Sequence, residues 1–222
     1  SDLEYWSSID RPIVAFDRNL GARIAQVDSD HRHGGALVAD VLTDGGAHDV
    51  VIIGGPRRQF TDLGDTGTTF PTVRYVQTLE ERLDDADIAH TYIESGEVFD
   101  IDGMRSAVRE AFDAHPQMDA FVGADLAAAF AMQEATLRGI AVPEDLQIVA
   151  YDGTTVADCA GLPLTAVRQD FEAIAQAIAD DIEQQIDDAA QPPQTESTQT
   201  ESTQTARMTI VPVTLERRST TR

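Results

Sequence analysis

Lysine is missing from this 222-residue chain: its 16 basic residues are all arginines, set against 39 acidic residues for a formal charge of −23. A surface so acidic repels phosphate backbones, whose neutralisation by basic side chains supplies most nucleic-acid affinity. This part of the protein is therefore not expected to touch DNA. The acidity is read as a means of keeping the surface soluble. Cysteine is nearly absent too. The single Cys159 excludes an internal disulfide and fits a reducing compartment, so a cytoplasmic location is expected. The longest apolar runs, such as Val50 to Ile53, are strand-sized, which argues against a membrane span. Ser1 opens onto polar and charged residues with no basic start or apolar stretch, so no secretory signal is expected. Missing as well are a G-x-S-x-G elbow, a P-loop, and a G-x-G-x-x-G after a strand. No catalytic constellation and no cofactor are expected, and an enzyme on this frame is the weakest reading.

What is present is a regular alternation. Short apolar runs at 12–16, 24–28, 50–54, 89–94, 120–123, 146–151, 164–168 and 208–215 read as strands. Between them, 31–46, 72–85, a stretch capped by Asp102, and a stretch capped by Asp125 and ended by Gly139 read as helices. From Phe171 a further helix carries Ile174, Ile178, Ile182 and Ile186 at a spacing of four. Strands alternating with helices imply parallel βαβ units with both faces of the sheet covered, so the class is α/β. After Pro192-Pro193 the five residues from Thr195 are repeated perfectly from Thr200. A polar repeat this short predicts a disordered loop over 189–206.

The order of these segments resembles the LacI/GalR family of repressors. The residues that carry the likeness are V-D-S-D-H-R-H-G-G through V-V-I-I-G-G-P at 27–56, and D-A-F-V-G-A-D-L through V-P-E-D-L-Q-I-V-A-Y-D-G at 119–153. L-P-L-T-A-V-R-Q-D-F at 162–171 and a terminal P-V-T-L-E-R-R-S-T complete it. The resemblance implies a periplasmic-binding-protein-like (type I) fold of two α/β lobes with parallel sheets. Residues 30–163 would form a complete second lobe, and 1–29 with 164–222 a remnant of an incomplete first lobe. Implied partners are a small-molecule effector, in the main a carbohydrate, and a second copy of the chain in a homodimer. Operator DNA would be met only through an N-terminal headpiece that this chain lacks. A transport-type solute-binding protein of the same fold is the alternative.

Ligands of parallel α/β sheets sit at the carboxyl ends of the strands. A sugar's vicinal hydroxyls are best met by carboxylates, planar donors and an aromatic face. Asp152 closes a strand and matches the family's ligand-binding aspartate. Asp17 ends the first strand, as a second cleft aspartate or as a turn residue. Gln169 follows the crossover strand as a ligand contact or a hinge residue. Arg74 lies near the family's cleft arginine, with Tyr75 the aligned residue if the register moves by one. Where the family commonly has Asn-Asp, this chain has Ala124-Asp125. Asp125 is retained as a candidate contact and helix cap, while the lost amide suits a ligand that is larger or has an apolar edge. Asp28, Asp30, His31 and His33 run from strand into helix and do not keep one face, so no metal site is expected. Cys159, in a turn with no histidine nearby in sequence, is read as inert, and Gly54-Gly55-Pro56 as a turn rather than a phosphate cradle.

Overall fold

A computed structural model of the chain describes residues 5–6, 8–62, 73–97, 100–190 and 206–222. In chain order the elements are β1 (Val14–Phe16), β2 (Ala25–Ser29), α1 (His31–Asp44), β3 (Asp49–Gly54), a 3-10 turn (Arg57–Asp62), α2 (Val73–Asp85), β4 (Ala89–Glu94) and α3 (Ile101–Ala114). There follow β5 (Ala120–Ala124), α4 (Asp125–Arg138), β6 (Gln147–Asp152), the single-turn α5 (Thr155–Asp158), β7 (Thr165–Gln169), α6 (Phe171–Ala190), β8 (Met208–Val211) and β9 (Val213–Glu216). The chain divides into two compact units. One holds Ser1–Asp30, Asp62–Pro71 and Asp170–Pro212; the other holds His31–Thr61, Thr72–Gln169 and Val213–Arg222.

The larger unit is built on a six-stranded sheet of order β4-β3-β5-β6-β7-β9, parallel except where β9 runs antiparallel to β7. Successive side chains of a strand point to opposite faces, and here both faces are buried. Val51, Ile53, Phe121, Ile148 and Ala150 pack with the apolar sides of α3 and α4. Val50, Ile52, Val122, Val149, Tyr151 and Val167 pack with those of α1 and α2. That is why these strands read as unbroken apolar runs. Each fully buried Val or Ile contributes roughly 1.5–3 kcal/mol of transfer free energy. The first half of helix α4, residues 125–132, is buried almost all round, which explains its run of alanines, and the helix ends at Gly139 in the left-handed conformation (φ 69°).

The smaller unit has a three-stranded parallel sheet of order β1-β2-β8. Its core is Val27, Ile174 and Val211, with Val14 and Ile178 packed against them. In α6 only Ile174 and Asp181 are buried, and Ile186 is exposed, so the isoleucine stripe is covered at one end.

Several expectations change. The apolar run at 208–215 is two strands, not one. Pro212, which has no N–H to give a ladder, separates β8 on β2 from β9 on β7. The boundary expected at 163/164 moves for a related reason: β7 and β9 hydrogen-bond into the larger sheet, so 165–169 and 213–222 belong to that unit. Asp100, not Asp102, caps α3, its carboxylate accepting from Gly103 N at 2.8 Å. Of the loop expected over 189–206, residues 189–190 finish α6, and 191–205 lie outside the described residues.

Candidate functional site

The carboxyl ends of β6 and β7 lie side by side, with Asp152 paired in register to Arg168. This places Asp152 next to Gln169, whose carboxamide donates to Asp152 Oδ1 at 2.7 Å. Asp152 has a positive φ of 108°, a conformation costly for a residue with a side chain. The next residue, Gly153 (φ 66°), turns the chain so tightly against β7 that an added Cβ would lie 2.7 Å from Arg168 Cα. Only glycine fits there.

Asp125 secures this turn from beneath. Its carboxylate accepts from Gly153 N at 3.1 Å, from Thr154 N, and from Thr154 Oγ1 at 2.6 Å. It is 4% exposed. Burial pushes its carboxyl above the ordinary range, opposed by the Thr154 and Gly153 hydrogen bonds and by the charge of Arg168. The expected cap role is thus corrected: the N-cap of α4 is Ala124, without a side-chain bond. Asp125 opens the helix and spends its oxygens on the loop after β6, making it a positioning residue for Asp152.

Alternation along β6 turns Tyr151 to the opposite face from its neighbours. Its hydroxyl lies 2.8 Å from His31 Nδ1, at the start of α1, with both residues buried. The Tyr75 ring stacks on Tyr151 with centroids 3.8 Å apart. In α2, Tyr75 is buried with Val76, Leu79 and Leu83, whereas Arg74 is half-buried. Burial first, and the negative charge of Asp152 second, push the Tyr75 phenol well above its ordinary range. Its hydroxyl is buried without a hydrogen-bond partner.

Asp152 and Gln169 are therefore brought together at the strand ends of the larger unit, with Asp125 holding the turn that follows, while Tyr75 packs on Tyr151. Asp17 lies in the smaller unit, at the end of β1, with a φ of 45° and its carboxylate accepting from Ser29 N at 3.4 Å. Sequence reading passed over Tyr151 and passed over His31 except as part of a metal run. The period-two pattern of β6 was the signal for Tyr151. Also unforeseen is Arg57, which sits 3.9 Å from the Tyr92 ring centroid and 4.7 Å from that of Phe60 while bonding Glu80 through both terminal nitrogens. It pins the 3-10 turn after β3 to α2. Among the described residues no group of three His, Cys, Asp or Glu side chains is arranged to hold a metal, and no helix is long and apolar enough to cross a membrane.

Comparison with known proteins agrees with this architecture. The ribose operon repressor of Bacillus subtilis strain 168 is 30% identical over 171 residues, 76% of this chain and 48% of the repressor. A solved complex of the transcriptional regulator CelR with cellobiose is similar at TM-score 0.72 and 25% identity, over 93% of this chain and 58% of that one. A LacI-type regulator from Alkaliphilus metalliredigens QYMF, solved with D-xylulofuranose, shares the fold at TM-score 0.77 and 23% identity, over 99% of this chain and 74% of that one. The chain spans about half the length of the curated relatives it matches. Relatives of this kind include ribose and sucrose operon repressors. The family model for the periplasmic binding protein-like domain matches residues 39–220, and the chain belongs to that family.

Proposed function

We propose that this chain is the effector-binding core of a LacI/GalR-type transcriptional regulator, and that it binds a small polyhydroxy molecule, a carbohydrate, to control operator binding. The observation that carries the reading is the Asp152–Gln169 pair, a carboxylate and a carboxamide joined at 2.7 Å at two adjacent strand ends. Carboxylate and amide together offer the acceptors and donors that sugar hydroxyls need, and a strained Asp152 backbone held by Asp125 keeps them oriented. Tyr75 and, beside it on α2, Arg74 are further candidate polar groups of the larger unit. That relatives are regulators favours this reading over a transport receptor of the same fold.

DNA contact is assigned to a part of the protein outside this acidic chain, and the location to the cytoplasm, where operators are. A homodimer is the proposed assembly. The surface proposed for it is the one where exposed Leu137 and Val156 flank Met132, Ala160 and Cys159 around a cavity of about 770 Å³. Sedimentation of the chain, with and without Leu137→Glu, tests the dimer. Calorimetric titration with D-ribose and cellobiose tests the effector reading: saturable binding that weakens at least about tenfold in Asp152→Ala supports it, and equal binding by that variant removes the site.

A further inference from the structure

The smaller unit gathers positive charge where its strands begin. Its sheet is parallel, with Val14 beside Ala25 and Gln26 beside Met208, so the residues that precede β1, β2 and β8 are brought side by side. Those stretches carry Arg11, Arg23 and Arg207, and all three line one cavity of about 510 Å³, a size usual for small-molecule sites. Three of the chain's 16 basic residues thus meet at one place on a protein of charge −23. Among the described residues, no carboxylate is paired with any of the three guanidinium groups. The facing wall comes from the C-terminal half of α6. There Gln185 ties helix to sheet: its Oε1 accepts from Ile13 N at 3.0 Å, and its Nε2 donates to Ile13 O at 3.1 Å and to Asp181 Oδ1 at 3.0 Å. Asp181 lines the cavity at 5% exposure, and its other oxygen, Oδ2, is buried without a hydrogen-bond partner. A carboxylate oxygen in that state destabilises the fold until a donor reaches it. Asp188, two turns further along α6, and Trp6 line the same cavity.

We propose that this cavity binds a phosphomonoester bearing hydroxyl groups, as a sugar phosphate or a nucleotide does. Arg11, Arg23 and Arg207 hold the phosphate, whose oxygens match the planar fork of a guanidinium. Asp181 and Asp188 accept from the hydroxyls, and Trp6 offers a face to a sugar ring or a base. The two walls differ in charge, which is what selects the ligand. A bare anion satisfies the arginines but meets the carboxylates, and a neutral sugar leaves the arginines unpaired. Every residue of this site belongs to the smaller unit, whereas Asp152 and Gln169 belong to the larger.

Calorimetry on the whole chain, with ribose 5-phosphate and adenosine 5′-monophosphate set against D-ribose and inorganic phosphate, tests this. At least one of the two esters should bind saturably, and at least tenfold more tightly than inorganic phosphate; the tighter of the two tells sugar phosphate from nucleotide. Arg23→Gln and Arg207→Gln, both at exposed positions, should each weaken that ester about tenfold, the scale of a charge-assisted hydrogen bond, with an unchanged melting temperature. Asp181→Asn should narrow the ester's advantage over inorganic phosphate. Inorganic phosphate or D-ribose binding as tightly as the esters overturns the proposal, as does full affinity in both arginine variants. So does ester binding that Asp152→Ala abolishes and the arginine variants spare, which would move the ligand to the larger unit. Neither ester binding to a folded sample overturns it as well, and a short DNA duplex held by the same arginines in their stead would make the surface a nucleic-acid contact.

Discussion

Gln169 and Asp152 close two neighbouring parallel strands and are joined to each other by a 2.7 Å hydrogen bond from carboxamide to carboxylate. The bond holds the Asp152 side chain while its backbone keeps a positive φ of 108°. Replacing Asp152 by alanine removes the charged acceptor and releases Gln169. We expect sugar affinity to fall by at least ~1.5 kcal/mol, the scale of a charge-assisted hydrogen bond. Unchanged affinity by calorimetry, in a variant with an unchanged circular dichroism spectrum, would take Asp152 out of the site.

Asp125 contributes to stability through the turn it holds after β6. Asp125→Ala strips the acceptor from Gly153 N, Thr154 N and Thr154 Oγ1, and should cost about 2–3 kcal/mol in urea unfolding. The carboxyl is raised in the folded state, burial being the largest cause. For an acid shifted in this direction, its titration favours folding below the unfolded value and loses that contribution as pH rises through the folded one. Relative to Asp125→Asn, the wild-type chain should therefore lose stability as pH rises from the ordinary aspartate value of about 4 through the raised one. A difference that grows over the same window would contradict this assignment.

Helix α1 meets α2 at Gly35, where an added Cβ would press on the backbone carbonyl of Tyr75 and lie 3.1 Å from Leu79 N. Backbone atoms cannot step aside as a flexible side chain does, so Gly35→Ala must push the helices apart and disturb the Tyr75–Tyr151 stack. A loss of about 3 kcal/mol is expected, at the upper end of overpacking effects. A melting temperature within a degree or two of wild type would show that the helices separate at little cost.

Protection from hydrogen exchange should be uneven. The larger unit buries both faces of its sheet, whereas α6 buries only Ile174 and Asp181. In a sample shown to be monomeric, amides of 120–152 should exchange slowly and those of 171–187 much faster. Equal protection of the two segments would mean that α6 is covered better than its burial indicates.

The α/β class, nearly every strand and helix, and the strand-end aspartates followed from the sequence alone. Those properties depend on local periodicity, on glycine and proline, and on the chemistry of single side chains, all of which can be read along the chain. Tertiary structure decided the rest. The run at 208–215 looks like one strand because its pattern is continuous, and only the pairing of β8 with β2 and of β9 with β7 divides it at Pro212. Asp125 precedes a helix as a cap would, yet Gly153 and Thr154, 28 and 29 residues on, claim its oxygens. Arg74 and Tyr75 differ by one position in a helical register that sequence could not choose between; packing against Tyr151 turns Tyr75 inward. In each case the deciding partner is remote in sequence, so no local pattern could name it.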